Sequence, residues 1–314
     1  MGRVPPAIFS SRARLLRAGA ACAVLLAVVG YVVAHLLTGG GGPPRCFARA
    51  SAETVAVDPE QAVNAATITA VASGRALPRR AVTIALATAL QESGLRNIRH
   101  GDRDSLGLFQ QRPSQGWGKP EQILDPVYSA GIFYDRLVEV PGYSRLPLTV
   151  AAQRVQLSGY PQAYAKRETD AVALTEVLTG RAEGAFTCPG LPDDGRAGDP
   201  DRVRETLRRE FGPRVLPSPE DPADGTAATG GGTDGRRTGR TDDDRVIVVP
   251  VRSDDGEAPR RGWELAYWAV AHSTELRIER VAYRGLEWSG DNSADGWRRT
   301  GRPADGEVRL TVAH

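Results

Sequence analysis

Residues 87–113 read ATALQESGLRNIRHGDRDSLGLFQQRP. An apolar run carrying Val82, Ile84, Leu86, Ala89 and Leu90 starts near Pro78 and predicts a helix buried on most sides. It ends in one carboxylate, Glu92, with Gly94 two residues on. An acid in the last helical turn faces the negative end of the macrodipole. Apolar surroundings further disfavour its charge. Both effects predict a raised pKa for Glu92, and a carboxyl still protonated near neutral pH can hand its proton to a leaving oxygen. The competing reading is a solvated Glu at a frayed end, the usual fate of an isolated acid.

Outward from this stretch the pattern stays helical. Asp58-Pro59-Glu60-Gln61 is a start signal, with Asp58 as N-cap, Pro59 at N1 and Gln61 at the capping-box position. That helix reaches about Ser73 and stops at Gly74. Asp125-Pro126 opens another through VYSAGIFYDRLVEV, closed by Pro141-Gly142. Two more are expected near 149–158 and 161–178. No convincing period-2 stretch occurs before Pro189, so residues 44–190 read as an all-α domain with a long irregular loop from Gly94 to about Gln122.

Cys46 and Cys188 bracket this block, and Cys22 lies in a separate apolar run. In an exported segment the bracketing pair reads as a disulfide. No second Cys or His stands near either one, so no metal is expected, and no cofactor. The first seventeen residues contain Arg3, Arg12, Arg14 and Arg17 and precede AGAACAVLLAVVGYVVAHLL, 18–37. At ~1.5 Å per residue that run matches a ~30 Å hydrocarbon core. It therefore predicts a single transmembrane signal anchor over 18–38, with the N-terminus in the cytoplasm and the bulk of the chain facing the cell wall. The rival is a cleaved signal peptide ending at Ala48-Arg49-Ala50. A net charge of +2 and the lack of a basic, aromatic-interleaved patch argue against nucleic acid. A single span without an intramembrane carboxylate argues against an ion transporter.

ALQESG followed closely by SLGLFQ resembles the lysozyme-like superfamily, specifically lytic transglycosylases and goose-type lysozymes. In that family a helix ends in Glu-Ser and the next loop carries Ser-x-Gly-Leu-(Met/Phe)-Gln. Glu92-Ser93 and Ser105-Leu106-Gly107-Leu108-Phe109-Gln110 match residue by residue, and Gly101-Asp102-Arg103 is similar to a Gly-Asp-Arg of goose-type lysozymes. The likeness covers roughly Cys46 to Cys188. The family's later aromatic-Asn motif is absent as such; AAQRVQLSGYPQAYAK stands there, with Gln156 or the pair Tyr160 and Tyr164 as substitutes.

The resemblance implies cleavage of the β-1,4 bond between N-acetylmuramic acid and N-acetylglucosamine in peptidoglycan. Glu92 would be the general acid. Asp102 would be a second catalytic group if it holds a water opposite Glu92, an arrangement needing carboxyls ~6.5–9.5 Å apart. Substrate contacts are expected from Ser105, Gly107, Leu108, Phe109, Gln110, Trp117, Gln156 and Tyr164. Gly107 would let the backbone approach the sugar, Gln110 would bind an acetamido group, and Trp117 would stack on a sugar face or pack the loop. The other function class is a non-catalytic wall-binding or assembly protein on the same scaffold.

After Cys188 the composition shifts. Residues 191–244 read as a Pro/Gly/Asp-rich linker. One short helix is suggested inside it by Val203, Leu207 and Phe211 at i, i+4, i+8; a transient amphipathic turn is the competing reading. Residues 245–314 read as a small α+β domain: RVIVVPV, IERVAY and EVRLTVAH as strands, GWELAYWAVAHSTEL as a helix. This tail is similar to C-terminal domains of secreted actinobacterial cell-wall proteins, which implies wall or protein binding. His272 and His314 without a nearby acid make a weak metal pair.

Overall fold

The computed structural model describes residues 10–37, 43–157, 161–191, 194–216, 242–251, 257–301 and 306–314. The chain divides into two compact units, Met1–Pro44 and Arg45–His314. The first contains one helix, α1 (Ser10–Leu37). Here the sequence reading is corrected: among the described residues no helix is long and apolar enough to cross a membrane. The helix begins well before the apolar run and includes Arg12, Arg14 and Arg17. Much of the run itself is Ala and Gly, which bring little apolar area per residue.

The second unit opens with β1 (Cys46–Arg49) and β2 (Thr54–Val57). Then come α2 (Pro59–Gly74), α3 (Arg79–Glu92), the short α4 (Pro120–Ile123), α5 (Pro126–Val138), α6 (Leu148–Gln156) and α7 (Glu168–Leu178). A two-residue strand, β3 (Phe186–Thr187), returns beside β1, giving the antiparallel order β2-β1-β3. This sheet corrects the all-α reading of the block. Its strands are only two to four residues long, too short to show a period of two. The register places Phe47 opposite Thr187, so Cys46 and Cys188 fall side by side and form a disulfide across 142 residues.

Helix α2 is the spine. Every position from Asn64 to Ala72 is buried, as its Ala- and Thr-rich, all-round apolar sequence demands. Its start is fixed as the capping box requires: Gln61 N–H donates to Asp58 Oδ1 at 3.0 Å and Asp58 N–H to Gln61 Oε1 at 2.9 Å. One side of α2 packs on α3, α5 and α7, and the rest meets the second half of the chain. There α8 (Pro200–Phe211) lies on it through Val203, Leu207 and Phe211, so a real helix occupies part of the stretch read as linker; residues 217–241 lie outside the described residues.

The remaining elements are β4 (Val246–Pro250), α9 (Ala258–Ala271), α10 (Ser273–Leu276), β5 (Ile278–Tyr283), β6 (Leu286–Ser289), β7 (Trp297–Arg299) and β8 (Glu307–Val312). The strands form an antiparallel sheet in the order β4-β8-β5-β6-β7. Helix α9 covers β5 and β8 with one side and touches α2 and α7 with the other. It therefore has almost no free face, and every residue from Gly262 to Ala271 is buried.

The seam is polar as well as apolar. Tyr267 Oη accepts from Ala185 N–H at 2.9 Å and donates to Ala182 O. Trp297 Nε1 donates to Phe186 O at 2.7 Å, and Trp288 Nε1 to Thr187 Oγ1 at 3.1 Å. The indoles of the α+β half thus complete the outer edge of the β2-β1-β3 sheet. That half is built into the core rather than tethered to it.

Candidate functional site

Glu92 is the last residue of α3 and is half-buried. Ser93 ends the helix and joins it to the next loop: its hydroxyl donates to Leu108 O at 2.8 Å and accepts from Arg96 N–H at 3.2 Å. In the Glu-Ser pair the hydroxyl ties down the loop and leaves the acid free of that task. The motif by itself does not disclose this tethering role of Ser93.

The loop folds back through a bridge in which Leu106 and Gln111 exchange backbone hydrogen bonds of 2.9 and 3.0 Å. The turn between them needs left-handed backbone at Gly107 (φ 75°) and Gln110 (φ 49°). At Gly107 the close approach expected toward a sugar is instead toward protein. A Cβ there would lie 2.7 Å from Ile123 O. Its N–H already donates to Ile98 O at 2.7 Å. Gln111, which the sequence reading passed over, is buried and donates from Nε2 to Ser129 O at 3.0 Å. Asp104 accepts from Arg112 Nε at 2.8 Å and from Ser114 N–H at 2.9 Å, which hold its carboxyl far below the usual range.

The expected contact residues divide into two groups. Leu108 and Phe109 are fully buried, and Phe109 stacks on Phe133 with ring centroids 4.6 Å apart, so both are core. Ser105 is buried, with its N–H bonded to Asp102 O at 3.0 Å. Trp117 is buried under the Arg136 guanidinium, 3.5 Å above its ring, the loop-packing alternative rather than an open stacking platform. Gln110 turns its amide back toward its own loop, donating to Gly107 O at 3.3 Å. Asp102 is almost wholly exposed, with Arg103 at 4.0 Å.

Gln156 and Tyr164 do converge on Glu92. The Tyr164 hydroxyl, on a buried ring in the 3-10 turn Pro161–Arg167, donates to Glu92 Oε1 at 2.5 Å. Gln156, at the end of α6, donates from Nε2 to Phe109 O at 2.7 Å, which holds its amide beside the acid. Burial raises the Glu92 pKa, and hydrogen bonds from Tyr164 and Gln156 oppose the shift. Both partners are neutral. Among the described residues no cation pairs with the carboxyl, so the group can take up and release a proton without breaking an ion pair there. Tyr160 lies outside the described residues. Among the described residues no cluster of His, Cys, Asp and Glu has the geometry to hold a metal.

Comparison with protein-family models and with curated proteins returns no match for this chain.

Proposed function

We propose that the protein cleaves peptidoglycan glycan strands, with Glu92 as general acid, in the manner of a lytic transglycosylase. The observation that carries the reading is the Glu92 carboxyl: terminal on a buried helix, raised in pKa by burial, and held by the neutral donors Tyr164 and Gln156. Glu92 protonates the glycosidic oxygen and the C1–O bond breaks. The sugar's own 6-hydroxyl then attacks C1, and its proton returns to the Glu92 carboxylate. The product is a 1,6-anhydro sugar and no water is consumed. The exposed Asp102, with no neighbour that would hold a water against the opposite face of the ring, supports this outcome over hydrolysis.

Gln156 and Tyr164 would stand in for the family's aromatic-Asn motif. The substrate would be met outside the cytoplasm, a compartment that the Cys46–Cys188 disulfide favours. Wall and partner binding through the α+β half belongs to the same reading. The second reading, a non-catalytic wall-binding protein on this scaffold, draws on the missing motif. Purified full chain and its Glu92→Gln variant, incubated with peptidoglycan, separate the two by mass spectrometry. Anhydro-muropeptides from the wild type alone support cleavage, whereas binding without release of soluble fragments supports the second reading.

A further inference from the structure

Helix α3 has a second functional end. Fourteen residues at ~1.5 Å per residue put Arg79, its first residue, about 20 Å from Glu92. There a cavity of about 150 Å³ opens between the start of α3, the end of α7 and the start of α9. Arg79, Arg181 and Arg260 line it from these three places. The approach is enforced by backbone. Gly180, at φ 71°, lets the chain leaving α7 touch the first turn of α9, where a Cβ would sit 1.9 Å from Arg260 O. Arg181 follows directly.

The charges in this cavity do not cancel. Arg260 pairs with Glu257, and Glu264 is taken by Arg261 and by Ser73, whose hydroxyl donates to it at 2.9 Å. Glu176, the other acid near Arg181, accepts from Ser51 N–H at 2.9 Å and from Ser51 Oγ at 3.1 Å. Among the described residues neither Arg79 nor Arg181 has a carboxylate or other side-chain partner. Desolvation and the neighbouring Arg79 and Arg260 charges push the Arg181 pKa down, and Glu257 and Glu176 offset this only in part. Pro78, the N-cap of α3, has no side chain able to cap it, so the positive end of the helix dipole adds to the field.

We propose that this cavity is a binding site for a phosphate dianion, either inorganic phosphate or the terminal group of a phosphomonoester. Two unpaired guanidiniums match two negative charges, and planar forks from separate elements match a tetrahedral oxyanion better than a flat carboxylate. The site is independent of the reaction assigned to Glu92.

Calorimetric titration of the full chain at low salt tests it, with inorganic phosphate, glycerol 3-phosphate, a glycerol phosphodiester and acetate as probes. Saturable binding of phosphate or glycerol 3-phosphate is expected, at least tenfold tighter than acetate or the diester. The tighter of the first two identifies the source. R79Q/R181Q should weaken that binding on the order of tenfold or more. Both side chains are exposed, so R79Q and R181Q singly, each expected to weaken binding several-fold, carry the test if the double variant fails to fold. Equal affinity in the variants, or acetate and the diester binding as tightly as phosphate, overturns the proposal.

Discussion

Two acids, the half-buried Glu92 and the buried Glu264, have pKa values raised by burial, and they differ in the charge of what holds them. Glu264 lies at the seam between the two halves, where Arg261 donates to it at 2.7 Å and Ser73 at 2.9 Å. A carboxyl paired with a guanidinium cannot give up its charge without stranding the cation. Glu92 ends a helix and, among the described residues, is hydrogen-bonded by a phenol and an amide. A raised pKa by itself therefore does not mark a catalytic acid; the charge of its partners does.

The largest expected effect sharpens that contrast. Glu92→Gln should lower glycan cleavage by on the order of 10²–10⁴-fold, the usual worth of a general acid. The raised pKa also has a stability sign. A carboxyl that holds its proton more tightly when folded loses stability as pH rises from its unfolded value through its folded one, so the variant should be slightly more stable than wild type at neutral pH. Glu264→Ala should behave the opposite way, leaving turnover per folded molecule unchanged but costing about 2–3 kcal/mol, since it strands a largely buried guanidinium. Chemical denaturation and turnover measured on both variants would break the comparison if their effects were exchanged.

The disulfide comes next. Replacing Cys46 and Cys188 with Ala should cost about 4 kcal/mol by loop closure, and the loss should appear equally in both halves because they share α2. Separate melting of the two halves would show the seam to be weaker than its packing implies.

A third measurement probes His272, buried between Glu210 of α8 at 3.6 Å and Glu275 of α10 at 3.7 Å, against the Trp268 ring of α9, with Arg202 paired to Glu275. Burial alone would lower its pKa, but the two carboxylates raise it from 6.5 to about 9. The stability it contributes is complete below pH 6.5 and is lost as pH rises through about 9. His272→Gln should remove roughly 1 kcal/mol of that alkaline slope in urea titrations, and should leave the pH dependence of the proposed cleavage unmoved.

The smallest effect is expected at Asp102. Asp102→Asn should change the cleavage rate by less than about threefold, since an almost wholly exposed carboxylate is poorly confined for a general base. A large loss, with hydrated reducing ends in the products, would move the chemistry toward the hydrolytic goose-type pattern.

Much of the local structure could be read from the chain. Asp58-Pro59-Glu60-Gln61 and Asp125-Pro126 announce α2 and α5 because capping is a contact between neighbours. The amphipathic triplet Val203, Leu207 and Phe211 left helix and transient turn open, and burial against α2 makes it α8. Glu92 stood out because its position at an apolar helix end is a one-dimensional fact. Gln156 and Tyr164 are 64 and 72 residues from it in sequence, and only the packing of α6 and the 3-10 turn against α3 brings them to its carboxyl. Leu108 and Phe109 show the converse. Motif position made them contact residues, yet the fold needed their area for its core.

What the sequence by itself determined, then, is where the capped helices α2 and α5 begin, which cysteines pair, and which acid ends a buried helix. Each follows from neighbours along the chain or from the compartment that oxidises thiols. The tertiary structure decided the rest. It joined the α+β half to the helical half through α2 and α9, added the short sheet beside the disulfide, and gave Glu92 neutral partners while giving Glu264 a cation. Those outcomes depend on which faces meet across long loops. A side chain's partners are set by that meeting, and with them its charge and its use.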